Sequence, residues 1–162
     1  MTKDEIAAIL AKPYAQQLLN GPEPARFAYD GLDGDPRVIP IGFWIEGGRI
    51  LMATVPKSAK VAAVRKNPKV ALTIDSGAFP PKALLIRGTA VVEVVQGVPE
   101  GYLFAGHKVM TDEQYPEWEA GVKGLYSEMG LITVTPTWAK LLDFETTIPK
   151  SVEDLIKEKS AG

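Results

Sequence analysis

The segment Leu51-Met52-Ala53-Thr54-Val55-Pro56-Lys57-Ser58-Ala59-Lys60 places two hydroxyls and two ammonium groups within seven residues, Thr54 to Lys60. A β-like run ends at Thr54, Pro56 breaks it, and Ser58 can cap a helix through Lys60, Val61, Val64 and Arg65. A helix N-terminus offers free backbone N–H groups and a partial positive charge. With added hydroxyl and ammonium donors it makes a cradle for a phosphate. The same residues also read as a plain N-cap with two solvated lysines, the commoner use of this pattern. Spacing alone leaves both readings open.

Other chemistries are narrowed by composition. The 162 residues contain no cysteine, which excludes disulfides, thiolate nucleophiles and Fe–S clusters. One histidine, His107, cannot build a His-rich metal site, and no Gly-x-Ser-x-Gly elbow supplies a nucleophilic serine. No metal site is expected. Asp30, Asp33 and Asp35 lie in a turn-rich run without the later glutamate of a calcium loop. A net charge of −2 and a pI near 5.5 argue against a nucleic-acid partner. No apolar run approaches ~20 residues, so no membrane span is expected and a cytoplasmic location follows.

The elements that must position the cradle follow from pattern. Thr2 and Glu5 form a capping box before Ile6, Ile9 and Leu10, and Pro13 interrupts the helix. Strands are expected over 25–30, 37–46 and 49–54, joined by the turn at 30–36 and by Gly47-Gly48 as an antiparallel meander. A short helix from Ser58 ends at Asn67-Pro68. Strands follow at 69–75 and 83–95, with Gly88 a bulge. Helix is weakly indicated over 98–110 and better over 112–129, where Trp118, Val122, Leu125 and Met129 recur at helical spacing. Two last strands, 131–135 and 138–144, flank Pro136, and a short helix begins at Ser151. The class is mainly β with α (α+β): about seven strands in a closed or nearly closed antiparallel β-barrel with peripheral helices. One domain is expected over 1–162, with an N-terminal helix at 1–20, a barrel at about 25–145 and a C-terminal tail at 146–162.

Four segments, in order, resemble the flavin-binding split-barrel proteins related to pyridoxamine phosphate oxidase. They are Arg37-Val38-Ile39-Pro40-Ile41-Gly42-Phe43; Gly48 to Thr54 followed by Ser58-Ala59-Lys60; Asn67-Pro68-Lys69-Val70-Ala71-Leu72; and Arg87-Gly88-Thr89-Ala90. The resemblance covers about residues 26–95 well and the rest loosely.

The resemblance implies a six- to seven-stranded antiparallel split β-barrel that forms a homodimer, with FMN in the groove between subunits. Thr54, Ser58 and Lys60 would hold its phosphate. The backbone of Val38, Ile39, Pro40, Ile41, Gly42 and Ala53 would line the ring, with Arg37 beside it. The oxidases carry an arginine where this chain has Ala59, and Lys57 can replace that charge. Trp138 can stack on the cofactor from the partner subunit. The chain lacks the oxidases' C-terminal Trp…Arg-Leu-x-Pro motif, so pyridoxamine phosphate is not the expected substrate. The closer likeness is to flavin or deazaflavin reductases, some of which use coenzyme F-420; its anionic tail would favour nearby cations, for which Lys57, Lys60, Arg65, Lys66 and Lys82 can serve, although such charges are also ordinary surface. The implied function is hydride transfer to a small organic substrate. No catalytic side chain is required, because the cofactor carries the hydride; Tyr102, His107 and Tyr126 are candidate proton donors. Carriage of a flavin, haem or other small ligand without turnover is the alternative on the same fold.

Overall fold

The computed structural model describes residues 1–162. Helices α1 (Lys3–Leu10) and α2 (Pro13–Asn20) open the chain. Strands β1 (Ala25–Asp30), β2 (Pro36–Ile41), β3 (Trp44–Glu46) and β4 (Arg49–Thr54) lead to α3 (Ala59–Lys66). Then come β5 (Lys69–Asp75), β6 (Ala83–Gln96), α4 (Glu100–His107), α5 (Tyr115–Leu125), β7 (Glu128–Leu142) and α6 (Lys150–Ser160). The seven strands form one antiparallel sheet in the order β2-β1-β5-β6-β7-β4-β3.

That order corrects the meander. β2 pairs only with β1 and β3 only with β4, so consecutive strands occupy opposite edges of the sheet. The expected strand over 37–46 therefore breaks at Gly42-Phe43, where the chain leaves one edge for the other. Three residue steps from Ile41 to Trp44 reach at most about 11 Å. Two edges tied so closely force the sheet to curl upon itself, yet no ladder joins them. The barrel is split at this point rather than closed.

The curled sheet encloses a core that includes Phe27, Ile50, Met52, Ile74, Leu84, Ile86 and Ile132, all nearly inaccessible. The capping box of α1 forms, with the Thr2 N–H donating to Glu5 at 2.6 Å. Pro13 serves as the first residue of α2, where its missing N–H is no loss. Ser58 caps α3, its Oγ accepting from the Val61 N–H at 3.4 Å. The far end of α3 is tied to the first hairpin: Lys66 donates to the Leu32 carbonyl at 3.0 Å and Asn67 to Asp30 at 2.7 Å.

Two further expectations change. The helix over 112–129 is shorter: α5 stops at Leu125, and Met129 packs within β7, paired with Val95. Helical spacing cannot separate a helix from the strand that follows when both bury the same face. The strands flanking Pro136 are one, β7. Pro136 lies opposite Gly88 at the register shift, where one residue of β7 stands outside the regular ladder, so the missing N–H is tolerated. A Cβ on Gly88 would lie 2.6 Å from the Thr135 carbonyl oxygen.

After β7, Asp143 is buried and its carboxylate gathers the N–H groups of Glu145, Thr146 and Thr147 and the Thr146 hydroxyl. These bonds hold its pKa well below the ordinary 3.8. Because the folded state binds the proton less well, the stabilisation is complete above the unfolded value and is lost as pH falls below about 4.

Gly88→Ala is expected to destabilise the protein by about 1–3 kcal/mol, since rigid backbone must shift, measured by urea denaturation. Asp143→Ala is expected to cost about 1–3 kcal/mol at pH 7. The difference between this variant and the wild type should shrink as the denaturation is repeated at falling pH.

Candidate functional site

A pocket of about 410 Å³ opens beside the split. One wall is the crossing segment Pro40–Phe43 with the end of β4, Ala53 and Thr54. Lys60, in the first turn of α3, stands at that wall. Gly130 lets this corner close: a Cβ there would sit 3.2 Å from Val61 and 3.4 Å from Pro56. The opposite wall comes from α4 and α5, through Tyr102, Ala105, Gly106, Lys108 and Trp118, and Pro22–Pro24 forms the rim.

Glycines set the position of α4. A Cβ on Gly101 would fall on the Trp44 ring and one on Gly106 on the Trp118 ring. α4 therefore rests directly on two indoles, with Leu103 and Ala105 buried. Trp44 is buried and donates to Glu46 at 2.8 Å. Trp118 instead stacks on Tyr102 with centroids 5.9 Å apart, and both rings line the pocket.

The pocket's electrostatics are those of unpaired cations. Lys60 and Lys108 are both half-buried, and burial lowers both from the ordinary 10.5. Neither belongs to an ion pair; the four present join Arg37–Asp33, His107–Asp112, Lys123–Glu119 and Lys150–Asp154. Glu23 on the rim is exposed and pairs with neither. Desolvated, unpartnered ammonium groups favour an anionic ligand.

The structure brings together Pro40, Ile41, Gly42, Ala53, Thr54 and Lys60 of the residues singled out in the sequence. Ser58, at the same corner, uses its hydroxyl on the α3 cap, while Lys57 and Ala59 are exposed beside it. The others lie elsewhere. Ile39 packs against the core. Arg37 turns back to Asp33 at 2.6 Å and, with Lys69 and Arg87, edges an open groove of about 470 Å³. Val38 and Trp138 line a third groove of about 260 Å³ on the outer sheet face, where the Arg87 guanidinium lies 4.3 Å over the Trp138 ring. Lys82 sits 4.3 Å over the Tyr14 ring, whose hydroxyl donates to Glu145. His107 contacts Asp112 at 2.8 Å and stacks on Tyr115. Of the suggested proton donors, Tyr102 alone lines the pocket, and burial raises its pKa above 10.0.

Lys108, Trp118 and the glycines beneath them escaped sequence reasoning. Lys108 is one of 18 basic residues, and a glycine-rich helix shows little periodicity. The signal available was the pair Gly101 and Gly106 within a segment otherwise suited to helix.

A family model described as pyridoxamine 5'-phosphate oxidase matches residues 11–137. Comparison with curated proteins gives no match. Among solved structures, an F420 reductase superposes with a TM-score of 0.61 at 22% identity, covering 77% of this chain and 94% of its own. A conserved hypothetical protein from Mycobacterium tuberculosis gives 0.59 at 18% identity, covering 94% of each chain. The haem storage protein HutZ from Vibrio cholerae gives 0.56 at 17%, covering 82% of this chain and 93% of its own. At these identities the likeness is one of fold.

Gly106→Ala is expected to displace the Trp118 indole while leaving the barrel folded. The readout is a changed near-ultraviolet circular dichroism spectrum and tryptophan emission with an unchanged far-ultraviolet spectrum.

Proposed function

The chain belongs to the pyridoxamine 5'-phosphate oxidase family, and from that premise we propose that it is a flavin- or deazaflavin-dependent oxidoreductase acting on a small organic substrate. The observation that carries the reading is Lys60: a half-buried ammonium without a carboxylate partner, beside Thr54, at the corner where β4 hands over to α3. A phosphate supplies the charge this corner lacks, so the residues present fit the cofactor. Lys60 and Thr54 would hold the phosphate, with Lys57 adding charge from solvent. The backbone of Pro40 to Gly42 and Ala53 would border the ring.

When bound, the cofactor supplies hydride transfer. The chain's own residues orient and enclose. In the crossing segment Gly42 and Phe43 lie outside both flanking strands, so their backbone N–H groups are not committed to a ladder. Tyr102 and Trp118 close the opposite wall and exclude water. Tyr102, kept protonated by burial, is the hydroxyl placed to donate a proton from that wall.

FMN is the cofactor favoured here, with F-420 the alternative supported by the fold likeness to an F420 reductase. A homodimer is part of the proposal. The outer sheet face leaves Val38 largely exposed in the groove it shares with Leu85 and Trp138, an apolar surface a second copy can cover. Simple haem carriage has less to support it, because the one histidine, His107, is engaged with Asp112 and Tyr115 outside the pocket lining.

Fluorescence titration of the purified protein with FMN and with F-420 should show saturable binding of one of them. Lys60→Ala should weaken that binding by about 10- to 100-fold, the loss of a charge-assisted hydrogen bond. Unchanged affinity in the variant would refute the phosphate site.

A further inference from the structure

The pocket holds a second cation that the cofactor reading leaves unused. Lys108 follows α4 and lines the same pocket as Lys60. Its Nζ lies 4.8 Å from the Phe43 ring centroid, 5.6 Å from that of Phe104, and 3.5 Å from the Phe43 carbonyl oxygen. Phe43 is almost fully buried, so it is a fixed platform for the ammonium. One long hydrogen bond and two ring faces orient the group without neutralising it, and an ammonium has three donors to satisfy.

The surroundings define what would satisfy them. Tyr102 and Trp118 present near-parallel rings, 16° apart in plane, along the same wall. Unlike Trp44, whose indole N–H is spent on Glu46, neither has a side-chain hydrogen bond within the protein. The only carboxylate of the lining, Glu23, is exposed on the rim and pairs with neither lysine. Flat walls, free N–H and O–H donors and one unpaired cation match a planar molecule with an anionic group.

We propose that the α4–α5 wall is a subsite for a planar, carboxylate-bearing small molecule, with Lys108 as its charge partner and Tyr102 and Trp118 as its flat walls. This rests on the reading that Lys60 takes the cofactor phosphate, and it names the class of substrate the remaining space accepts. Lys108 also sits at a helix C-terminus, where a cation is favourable for stability alone. A purely structural lysine would leave ligand choice unaffected, so the test reads ligand choice.

The probes are benzoate and benzamide, alike in shape and different in charge. Each is titrated by calorimetry into the protein loaded with FMN or F-420, whichever binds, and into the cofactor-free protein. Benzoate is expected to bind at least about tenfold more tightly than benzamide, a difference near 1.4 kcal/mol. Lys108→Met should bring the two affinities together while cofactor affinity stays within about twofold. Lys108→Arg, which keeps the charge and serves as the folding control, should retain most of the preference. Equal binding of the two probes by the wild type, no benzoate binding at millimolar concentration, or a preference that survives Lys108→Met would overturn the subsite. So would a preference that disappears in Lys60→Ala instead. If neither cofactor binds but the cofactor-free protein keeps a Lys108-dependent preference, the subsite stands and the oxidoreductase reading falls.

Discussion

The link Gly42-Phe43 is the constraint on which the rest of the molecule depends. It joins strands at the two outer edges of a seven-stranded sheet. A link this short cannot span an open sheet, so the sheet must curl until its edges nearly meet. It also cannot let them pair, since β2 is committed to β1 and β3 to β4. The result is a seam with unpaired backbone along one side. Sheet edges elsewhere are a liability that proteins cover or charge. Here the seam is faced by α4 and becomes one wall of the pocket. Phe43 holds the two sides in place: its ring is nearly inaccessible in the core, while its carbonyl and ring face meet Lys108.

Most elements were legible in the sequence because their signals are local. The Thr2–Glu5 capping box, Pro13, the Ser58 cap, the Gly47-Gly48 turn and the Gly88 irregularity each carry a mechanism within a few residues. The connectivity was not legible at the same level. Residues 37–46 look like one strand because apolar residues continue through Gly42-Phe43. The switch of edge is decided by pairing with β1 and β4, far apart in the sheet. Pro136 misled for a related reason. A proline breaks a strand unless its partner has already broken the ladder, and the partner, Gly88, lies 48 positions earlier in the sequence.

The site divides along the same line. Its strand-side wall, Pro40 to Gly42 with Ala53, Thr54 and Lys60, belongs to contiguous motifs, so the residues could be picked out together. The helix-side wall is built by close approach. Gly101 and Gly106 matter for the side chains they lack, and the tryptophans they admit come from β3 and α5. No motif spacing encodes such a contact. Arg37 shows the converse. It falls within a motif, but Asp33, four residues earlier, offers a nearer partner, and a turn of its own hairpin holds it.

Leaving two lysines half-buried and unpaired works against folding, because each ammonium loses solvent without gaining a counter-charge. An isolated domain selected for stability alone would carry a carboxylate opposite each, or an apolar residue. The core meets no such conflict: no buried side-chain nitrogen or oxygen there lacks a hydrogen-bond partner. Asp143, the one buried charged residue, is fully engaged by its own turn. Among the lysines, burial lowers the pKa of Lys60 and Lys108, and both line the pocket. Local rules are expected to fail where a ligand completes them. The side chains here fail in the same sense, by lacking negative charge, on walls built from different elements. A ligand that answers only one of them leaves the other desolvated, so the pocket as a whole favours either two anionic groups on one molecule or two molecules bound side by side.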